Sequence, residues 1–259
     1  MRAPLALVTG GASGIGAATA TRLRREGRPV AIVDRHLSAA KDIAASIGAT
    51  AYELDISAQC DVDRVIDEIE AELGPIGTLI NCAGHLQATT PPQDLPLSTW
   101  ESIIDVHLRG TYMVTTKTAR GMIMRMNGVI VTVASVTGMC SAPLHAYGPA
   151  KAALINLTAN LAAEWGRFGI RVNAVSPGFV ETPAVSRGLR AGVLDEDRLK
   201  AHSAMGRLVT ANEVAAAIYF LASDEASAIT GCNLPVDAGF MAAMSWGAFG
   251  GVRCPDTDS

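Results

Sequence analysis

Short, almost wholly apolar runs alternate with longer amphipathic segments along this 259-residue chain. The runs lack the polar alternation of a half-exposed strand, which is typical of parallel strands that helices cover on both faces. Strands that alternate with helices predict an α/β fold with a doubly wound parallel sheet. Seven runs are predicted as its strands: residues 5–8, 29–33, 50–54, 78–82, 129–133, 171–175 and 233–236.

The segments between these runs carry helix signals. Apolar residues recur every three to four positions across residues 62–73, as one buried face of a helix requires. Two capping boxes, Ser98-x-x-Glu101 and Thr210-x-x-Glu213, predict the first turns of two further helices. No linker, charge block or repeat divides the chain, so a single domain over residues 1–259 is predicted.

The first strand ends in a glycine-rich turn that leads into an alanine-rich, helix-like segment. Gly10, Gly14 and Gly16 stand in the frame Gly-x-x-x-Gly-x-Gly, and residues 17–25 follow as the helix. Glycines without side chains bring backbone N–H groups close to a ligand, and a helix N-terminus attracts a pyrophosphate. This turn therefore predicts dinucleotide binding at the start of the chain.

Polar or turn-forming residues follow five of the other predicted strands. Ligands of a doubly wound sheet bind beyond the carboxyl ends of the strands, so these residues are candidates for one site. Each one alone is also an ordinary turn residue, but five at the same edge indicate a site. In chain order they are Asp34, Asp55, the stretch Asn81-Cys82-Ala83-Gly84, Ser135, and the pair Pro177-Gly178.

Tyr147 and Lys151 are four residues apart and therefore share one helical face, and Ser135 precedes Tyr147 by twelve residues. A phenol with an ordinary pKa of about 10 is a poor base at neutral pH. A neighbouring ammonium and an oxidised nicotinamide ring would favour the phenolate, and a shift of 2–3 pKa units needs roughly 3–4 kcal/mol. Such a pair suits proton exchange with an alcohol or ketone, whose oxygen a serine hydroxyl holds.

Taken together, these motifs resemble the short-chain dehydrogenase/reductase family. The resemblance runs through nearly the whole chain, to the closing segment of residues 236–239. The motifs that carry it are Thr9-Gly10-x-x-x-Gly14-x-Gly16, Asn81-x-Ala83-Gly84, Ser135, Tyr147-x-x-x-Lys151, Pro177-Gly178, Gly206-Arg207-Leu208 and Val236-Asp237-Ala238-Gly239.

The resemblance implies a Rossmann-type doubly wound seven-stranded parallel sheet with helices on both faces. It implies hydride transfer between NAD(P) and a substrate carbon, with Tyr147 as general acid and base. Lys151 would bind the nicotinamide ribose and depress the pKa of Tyr147, while Ser135 would orient the substrate. A homotetramer is implied, built partly on the helices around residues 98–126 and 147–166.

The choice of cofactor is predicted from the end of the second strand. A carboxylate at Asp34 accepts both adenosine ribose hydroxyls and repels a 2′-phosphate, which favours NAD, although Arg35 would suit a phosphate. Ser13 stands where NADP-preferring relatives often carry a basic residue. The predicted cofactor-binding residues are Gly10, Ser13, Gly14, Ile15, Gly16, Asp34, Arg35, Asp55, Ile56, Asn81, Ala83, Gly84, Tyr147, Lys151, Pro177, Gly178, Val180 and Thr182.

Two residues depart from the family pattern. His107 stands where the family usually has an asparagine that supports a proton relay, so it is a further catalytic candidate. It either carries protons near its ordinary pKa of about 6.5 or replaces only the structural role, and the structural alternative is favoured. Pro149 lies between Tyr147 and Lys151, and proline is harmless only in a first helical turn. The helix is therefore predicted to begin near Tyr147 or to be distorted there.

The substrate is the least determined feature. By the resemblance, residues 183–205 form a substrate lid, and its mixture of apolar and basic residues suits a mainly apolar or mixed pocket. Predicted substrate contacts are Ser135, His145, Met139 and Phe179. The predicted reaction is NAD-dependent oxidation of a secondary alcohol or reduction of its ketone. A 3-oxoacyl thioester reductase and a catalytically silent nucleotide-binding scaffold stay as alternatives, whereas an α/β-hydrolase lacks its Gly-x-Ser-x-Gly motif.

Composition narrows the setting of the protein. Hydrophobic residues make up 49% of the chain, an excess that indicates buried subunit interfaces or simply a high alanine content. A net charge of −4 without a basic stripe argues against nucleic acid as a partner, and no run is long enough for a bilayer. Five cysteines without C-x-x-C pairing, no signal peptide and no metal-like histidine spacing predict a reduced cytoplasmic protein without a metal. The final segment, 247–259, is predicted to be irregular.

Overall fold

A computed structural model describes residues 4–253 of the protein. Its centre is a sheet of seven strands, all parallel, in the order β3-β2-β1-β4-β5-β6-β9. A separate pair of two-residue parallel strands, β7 and β8, lies outside it. The strands are β1 (Leu5–Thr9), β2 (Val30–Asp34), β3 (Thr50–Glu53), β4 (Ile76–Asn81), β5 (Gly128–Val133), β6 (Ile170–Pro177), β7 (Val180–Glu181), β8 (Val209–Thr210) and β9 (Asn233–Val236).

Helices connect the strands and cover both faces of the sheet. A π-helical turn, Asp105–Gly110, joins two of them without a break in the chain direction. The helices are α1 (Gly14–Arg25), α2 (Leu37–Ile47), α3 (Gln59–Leu73), α4 (Leu97–Ile104), α5 (Thr111–Arg125), α6 (Tyr147–Trp165), α7 (Pro183–Arg190), α8 (Glu196–Ala201), α9 (Ala211–Ala222) and α10 (Phe240–Ala243).

Two apolar clusters hold these layers together, one on each face of the sheet. Side chains of α3, α5 and α6, such as Ile66, Met122 and Trp165, are buried against one face. Side chains of α1, α2 and α9, such as Leu23 and Ile218, are buried against the other. Every residue of β1 is buried, as a strand covered on both faces requires. The predicted doubly wound seven-stranded fold is confirmed.

The strand order reverses between β1 and β4, because the chain after β1 builds outwards through β2 and β3 and then returns. At such a reversal the connections leave neighbouring strands towards opposite faces, which opens a crevice at their carboxyl ends. The hydroxyl of buried Thr9, the last residue of β1, bridges this point by accepting the N–H groups of Cys82 and Ala83, each at 3.1 Å.

The predicted elements are largely confirmed, with differences at their ends. The strand predicted at residues 78–82 begins two residues earlier at Ile76, and the strand predicted at 171–175 continues to Pro177. The capping box at Thr210 is present, whereas the one at Ser98 is wrong. Helix α4 begins at Leu97 directly after Pro96, so Ser98 lies inside the first turn and cannot cap it.

Outside the sheet, the predicted lid is mostly helical, whereas the predicted C-terminal tail is mostly irregular. The predicted lid contains α7 and α8, whose first turns are capped by the side chains of Thr182 and Asp195. The predicted tail starts within a 3-10 turn, Trp246–Phe249, and is irregular from residue 250 to residue 253, while residues 254–259 lie outside the described part. No helix in residues 4–253 combines the length and apolar character needed to cross a bilayer.

The two predicted capping boxes give a matched test of helix stability. Thr210 Oγ1 accepts the N–H of Glu213 at 3.2 Å, and Glu213 Oε2 accepts the N–H of Thr210 at 2.8 Å. Thr210→Ala is expected to lower the free energy of unfolding by about 1 kcal/mol, because an N-terminal N–H loses its acceptor. Equilibrium urea denaturation measures this difference.

Ser98→Ala is the control for that measurement. Because the Ser98 hydroxyl is exposed and caps nothing, the change is expected to stay within about 0.5 kcal/mol of the unmodified protein. Equal losses in both variants would contradict the difference between the two helix starts.

Candidate active site

The glycine turn after β1 presses directly against the end of β4. Gly10 and Gly14 have φ values of +65° and +53°, a region that glycine adopts without strain. A Cβ on Gly10 would lie 2.6 Å from the Ala83 Cα, and one on Gly16 would overlap the carbonyl oxygen of Gly10. Side chains are therefore excluded here, and bare backbone faces the crevice at the start of α1.

Asp34 ends β2 beside this turn and ties it to the sheet. One carboxylate oxygen accepts the N–H of Ala12 at 3.2 Å, and the other accepts the N–H of His36 at 3.0 Å. A carboxylate offers about four acceptor positions, so lone pairs remain for further donors. The exposed Arg35 side chain turns to His36, with 3.2 Å between Arg35 Nε and His36 Nε2.

A cleft of about 300 Å³ lies further along the same edge. Asp55 Oδ1 accepts hydrogen bonds from the N–H of Ser57 at 2.9 Å and from its hydroxyl at 2.7 Å, and these bonds lower the pKa of the carboxyl. Ile56 is buried next to it. Charged side chains of both signs line the cleft: Arg35, Glu53, Asp55, Asp61 and Arg64.

Asn81 holds the centre of the sheet edge together. Its buried Nδ2 donates to Thr115 of α5 at 2.9 Å and to Thr132 of β5 at 3.3 Å. These bonds connect three elements beneath the crevice. Gly84 follows at the end of the same motif, and a Cβ there would overlap the ring of His107.

The Pro177-Gly178 pair lies across the crevice from the glycine turn. A Cβ on Gly178 would lie 2.9 Å from the Cα of Asp237, and a Cβ on Gly14 would lie 3.4 Å from Thr182 Cγ2. Val180, the first residue of β7, is buried. The chain segment that leads into the predicted lid therefore passes directly beside the glycine turn.

Ser135, Tyr147 and Lys151 meet where β5 and α6 come together. Ser135 Oγ accepts the N–H of Thr137 at 3.2 Å and its hydroxyl at 3.0 Å. Tyr147 is the first residue of α6, as the position of Pro149 predicts. The Lys151 ammonium is buried and donates to the carbonyl oxygen of Val133 at 2.7 Å.

Burial dominates the ionisation of this group. It raises the pKa of Tyr147 to about 12, which a hydrogen bond with Ser135 offsets only in part, and it lowers the pKa of Lys151 to about 8. Without the cofactor the pKa of Tyr147 is not depressed, and the depression by Lys151 together with an oxidised nicotinamide ring stays a prediction. The ammonium lies 5.5 Å from the centre of the phenol ring and is bonded to the backbone instead.

His107 lies in the π-helical turn and packs its ring edge-on against Tyr147, with 5.0 Å between the ring centres. Its Nε2 is 3.1 Å from the backbone nitrogen of His85 and 2.8 Å from the His85 carbonyl oxygen. Burial, reinforced by the charge of Lys151, lowers the pKa of His107 to about 2. This pKa favours the structural alternative for His107, in which the ring is neutral at physiological pH, over proton transfer at an ordinary histidine pKa.

Three of the four predicted substrate contacts lie outside the group formed by Ser135, Tyr147 and Lys151. Met139 is exposed and its sulfur accepts a hydrogen bond from Asn233 Nδ2 at 3.3 Å. Phe179 packs edge-on against Phe240, with 5.5 Å between ring centres. His145 is exposed two residues before Tyr147.

One site residue carries no signal in the sequence. Gln87 stands alone in a polar loop after β4, yet its buried side chain accepts the N–H groups of Ala146 and Tyr147, both at 2.9 Å. Periodicity and motif spacing cannot reveal this residue, because its partners are 59 and 60 residues away.

Comparisons with known proteins agree with this geometry. Residues 10–241 match the family model described as "Enoyl-(Acyl carrier protein) reductase". Cis-4-hydroxycyclohexanecarboxylate dehydrogenase of Sinomonas cyclohexanicum is 37% identical over 244 residues, which cover 92% of this chain and 96% of that enzyme.

Solved structures agree in fold. One described as ribose-5-phosphate isomerase from Brucella melitensis 16M is 48% identical with a TM-score of 0.96, and the match covers 98% of both chains. One described as "ElxO with NADP Bound" is 30% identical with a TM-score of 0.88, over 93% of this chain and all of that one. The family model and the curated relative each match most of this chain, so the chain belongs to the short-chain dehydrogenase/reductase family.

Proposed function

We propose that the protein is an NAD-dependent oxidoreductase that interconverts a secondary alcohol and its ketone. The observation that carries the proposal is the meeting of Ser135, Tyr147 and Lys151 at the sheet edge that also holds the glycine turn. A dehydrogenase name in the family and an NADP-bound structural neighbour support dinucleotide chemistry on CH–OH groups.

The residues present fit a dinucleotide. A Cβ at Gly10 or Gly16 would fill the space against the backbone, so only glycine leaves a surface that a pyrophosphate can approach. Ser13, at the N-cap position of α1, makes no capping hydrogen bond with its side chain. First-turn N–H groups of α1 are therefore available to an anion.

In the proposed reaction, the bound dinucleotide supplies the hydride acceptor or donor. The Ser135 oxygen accepts two bonds from Thr137, so its own hydrogen is the group that bonds to Tyr147 and that would turn to hold the substrate oxygen. Tyr147 accepts the proton of the alcohol during oxidation and returns it during reduction. Lys151 uses one of its three N–H donors on Val133, which leaves two for ribose hydroxyls near the phenol.

The preference for NAD is argued from Asp34. Its carboxylate is fixed in place by the N–H groups of Ala12 and His36, beside the turn where the adenosine ribose would lie. Hydroxyls can donate to the remaining lone pairs, whereas a 2′-phosphate would meet a like charge. The neighbouring Arg35 is exposed and is bonded to His36.

We also propose that residues 183–205 close over the substrate and that copies of the chain form a tetramer. A surface cleft of about 450 Å³ between α5 and α6 has Leu108, Tyr112 and Leu157 in its lining, which suits a partner helix. Light scattering distinguishes a tetramer from a monomer. We propose in addition that the protein is located in the cytoplasm.

Tyr147→Phe tests the reaction. Loss of the phenol oxygen is expected to lower kcat for NAD-dependent alcohol oxidation by about 10²–10⁴, because general acid–base catalysis contributes that much. NADH absorbance over a panel of polyols, cyclic alcohols and hydroxyacyl thioesters provides the measurement. NADH binding, followed by fluorescence, should be nearly unchanged.

Tyr219→Phe is the matched control, since Tyr219 packs against Arg22 and Arg28 on α1 and its loop. Full activity of Tyr147→Phe would refute the assigned role. Turnover confined to thioesters would favour the 3-oxoacyl reductase alternative, and no turnover would favour a silent scaffold. Conversion of ribose 5-phosphate to its ketose without any dinucleotide would identify an isomerase instead.

Asp34→Ser tests the cofactor preference. The variant removes the charge that repels a 2′-phosphate, so the ratio of kcat/KM with NADP to kcat/KM with NAD is expected to rise at least about tenfold, or ~1.4 kcal/mol. Steady-state rates with both cofactors give this ratio. Asp42→Asn, an exposed acidic residue on α2, controls for a general change in charge. A preference of the unmodified enzyme for NADP would contradict the role assigned to Asp34.

The pH dependence tests which group ionises. Because burial raises the pKa of Tyr147 to about 12, alcohol oxidation is expected to accelerate with rising pH, whereas ketone reduction, which needs the protonated phenol, should stay nearly constant until the pH approaches that pKa. His107→Asn should leave the shape of the profile unchanged between about pH 5 and 9, since a histidine ordinarily titrates near 6.5 but this one stays neutral. Loss of an ionisation near pH 6.5 in the variant's profile would instead show that His107 titrates.

A further inference from the structure

Helix α6 begins at Tyr147, so the proposed acid–base residue lies in a first helical turn. The first N–H groups of a helix have no acceptor inside it, and a turn without caps frays. The position of the phenol therefore depends on what holds these N–H groups in place.

Backbone partners account for only part of this turn. The N–H of Gly148 donates to the Leu144 carbonyl at 2.9 Å, and the N–H of Ala150 donates to the Ala146 carbonyl at 3.0 Å. Pro149 has no N–H to satisfy. Ala146, at the cap position, has no side-chain acceptor. Two donors remain, on Ala146 and Tyr147.

Both remaining donors bond to one atom, the Oε1 of Gln87, at 2.9 Å each. This residue reaches the helix from the loop after β4 rather than from the segment that precedes α6. Its side chain is buried, and among residues 4–253 its Nε2 has no hydrogen-bond partner. Burial of an unpaired amide N–H is unfavourable, so packing alone does not account for a glutamine here.

The loop that carries Gln87 is held on a second side. His107 Nε2 bonds to the backbone of His85, two residues before Gln87, and the His107 ring packs against Tyr147. The end of β4, the π-helical turn and the start of α6 therefore form a closed ring of contacts around the phenol. Gln87 is the member of this ring that bonds to the backbone of Tyr147 itself.

We propose that Gln87 is a positioning residue that caps the catalytic helix from outside and holds Tyr147 in register with Ser135 and Lys151. The proposal rests on the function proposed above. Gln87 bonds through the backbone and does not take part in proton transfer. A misplacement of a reacting group by about 1 Å costs on the order of 10²-fold in rate, so loss of this cap should appear in kcat rather than in folding alone.

Two variants separate the acceptor from the bulk of the side chain. Gln87→Met removes the acceptor at similar size, and Gln87→Glu keeps acceptor oxygens that a helix N-terminus favours. Thr78→Val is the matched control, because it deletes a hydrogen bond that Arg28 donates to the buried Thr78 hydroxyl near the other end of β4. Each variant is assayed for kcat, KM, NADH affinity and melting temperature, and for amide hydrogen exchange in the peptide of residues 144–150.

The proposal predicts that Gln87→Met lowers kcat by about 10- to 100-fold at a temperature where it is fully folded. Exchange in residues 144–150 should accelerate, while NADH affinity changes little. Gln87→Glu should recover kcat to within about fivefold at its own pH optimum. The pH optimum for oxidation should move to higher pH, because the new carboxylate opposes ionisation of the Tyr147 phenol. The other polar groups close to this phenol are Ser135, Lys151 and the neutral His107. Thr78→Val should lower only the melting temperature.

Two results would overturn the positioning role. In one, fully folded Gln87→Met keeps kcat within about twofold of the unmodified enzyme, a difference too small for a displaced catalytic group. In the other, Gln87→Glu is as slow as Gln87→Met. Failure of the proposed function is a separate outcome: the unmodified protein would then turn over no alcohol with NAD, and the positioning role would fall with it.

Discussion

The contact between the ends of β1 and β4 is the constraint on which the site depends. The two strands lie side by side at the reversal of the sheet order, and the buried Thr9 hydroxyl joins them through the N–H groups of Cys82 and Ala83. Gly10 then turns within van der Waals distance of Ala83, where any side chain would force the strands apart. The same close approach that joins the two halves of the sheet leaves bare backbone exposed to the crevice, so the surface proposed to bind phosphate follows from how these two strands pack.

Burial at this edge governs the chemistry more than pairwise charge does. It raises the pKa of the Tyr147 phenol and lowers those of the Lys151 ammonium and the His107 imidazole, so each group is driven towards its neutral form. At neutral pH the phenol and the imidazole are therefore uncharged, whereas Lys151, with a pKa of about 8, keeps most of its charge. The protein by itself does not hold the phenolate, and a positive charge brought in beside Lys151 would have to stabilise it. Formation of the Tyr147 phenolate would therefore depend on cofactor binding.

Most of the fold and the chemical groups of the site could be predicted from the sequence because local signals encode them. Uninterrupted apolar runs specify buried parallel strands, and Pro149 places the start of α6 at Tyr147 because its missing N–H is tolerated only there. The features that sequence analysis missed are those set by tertiary contacts. Ser98 has the spacing of a cap, but the N-cap position is Pro96, so the helix begins two residues earlier than predicted. His107 has an ordinary side chain whose pKa is displaced only because the fold buries it against Tyr147.

Gln87 shows why one part of the site is invisible in the sequence although it obeys simple rules. Because α6 begins at the proposed acid–base residue, its phenol lies at the sheet edge. For the same reason, that residue has backbone N–H groups without an acceptor in the helix. Pro149 removes one donor, and the carbonyl groups of Leu144 and Ala146 accept two others. The local chain offers no side chain for the rest, so the acceptor comes from the loop after β4. That loop already lies against the site because Gly84 leaves room for the His107 ring. Placement of the phenol is therefore a property of the whole sheet edge rather than of the Tyr-x-x-x-Lys segment alone.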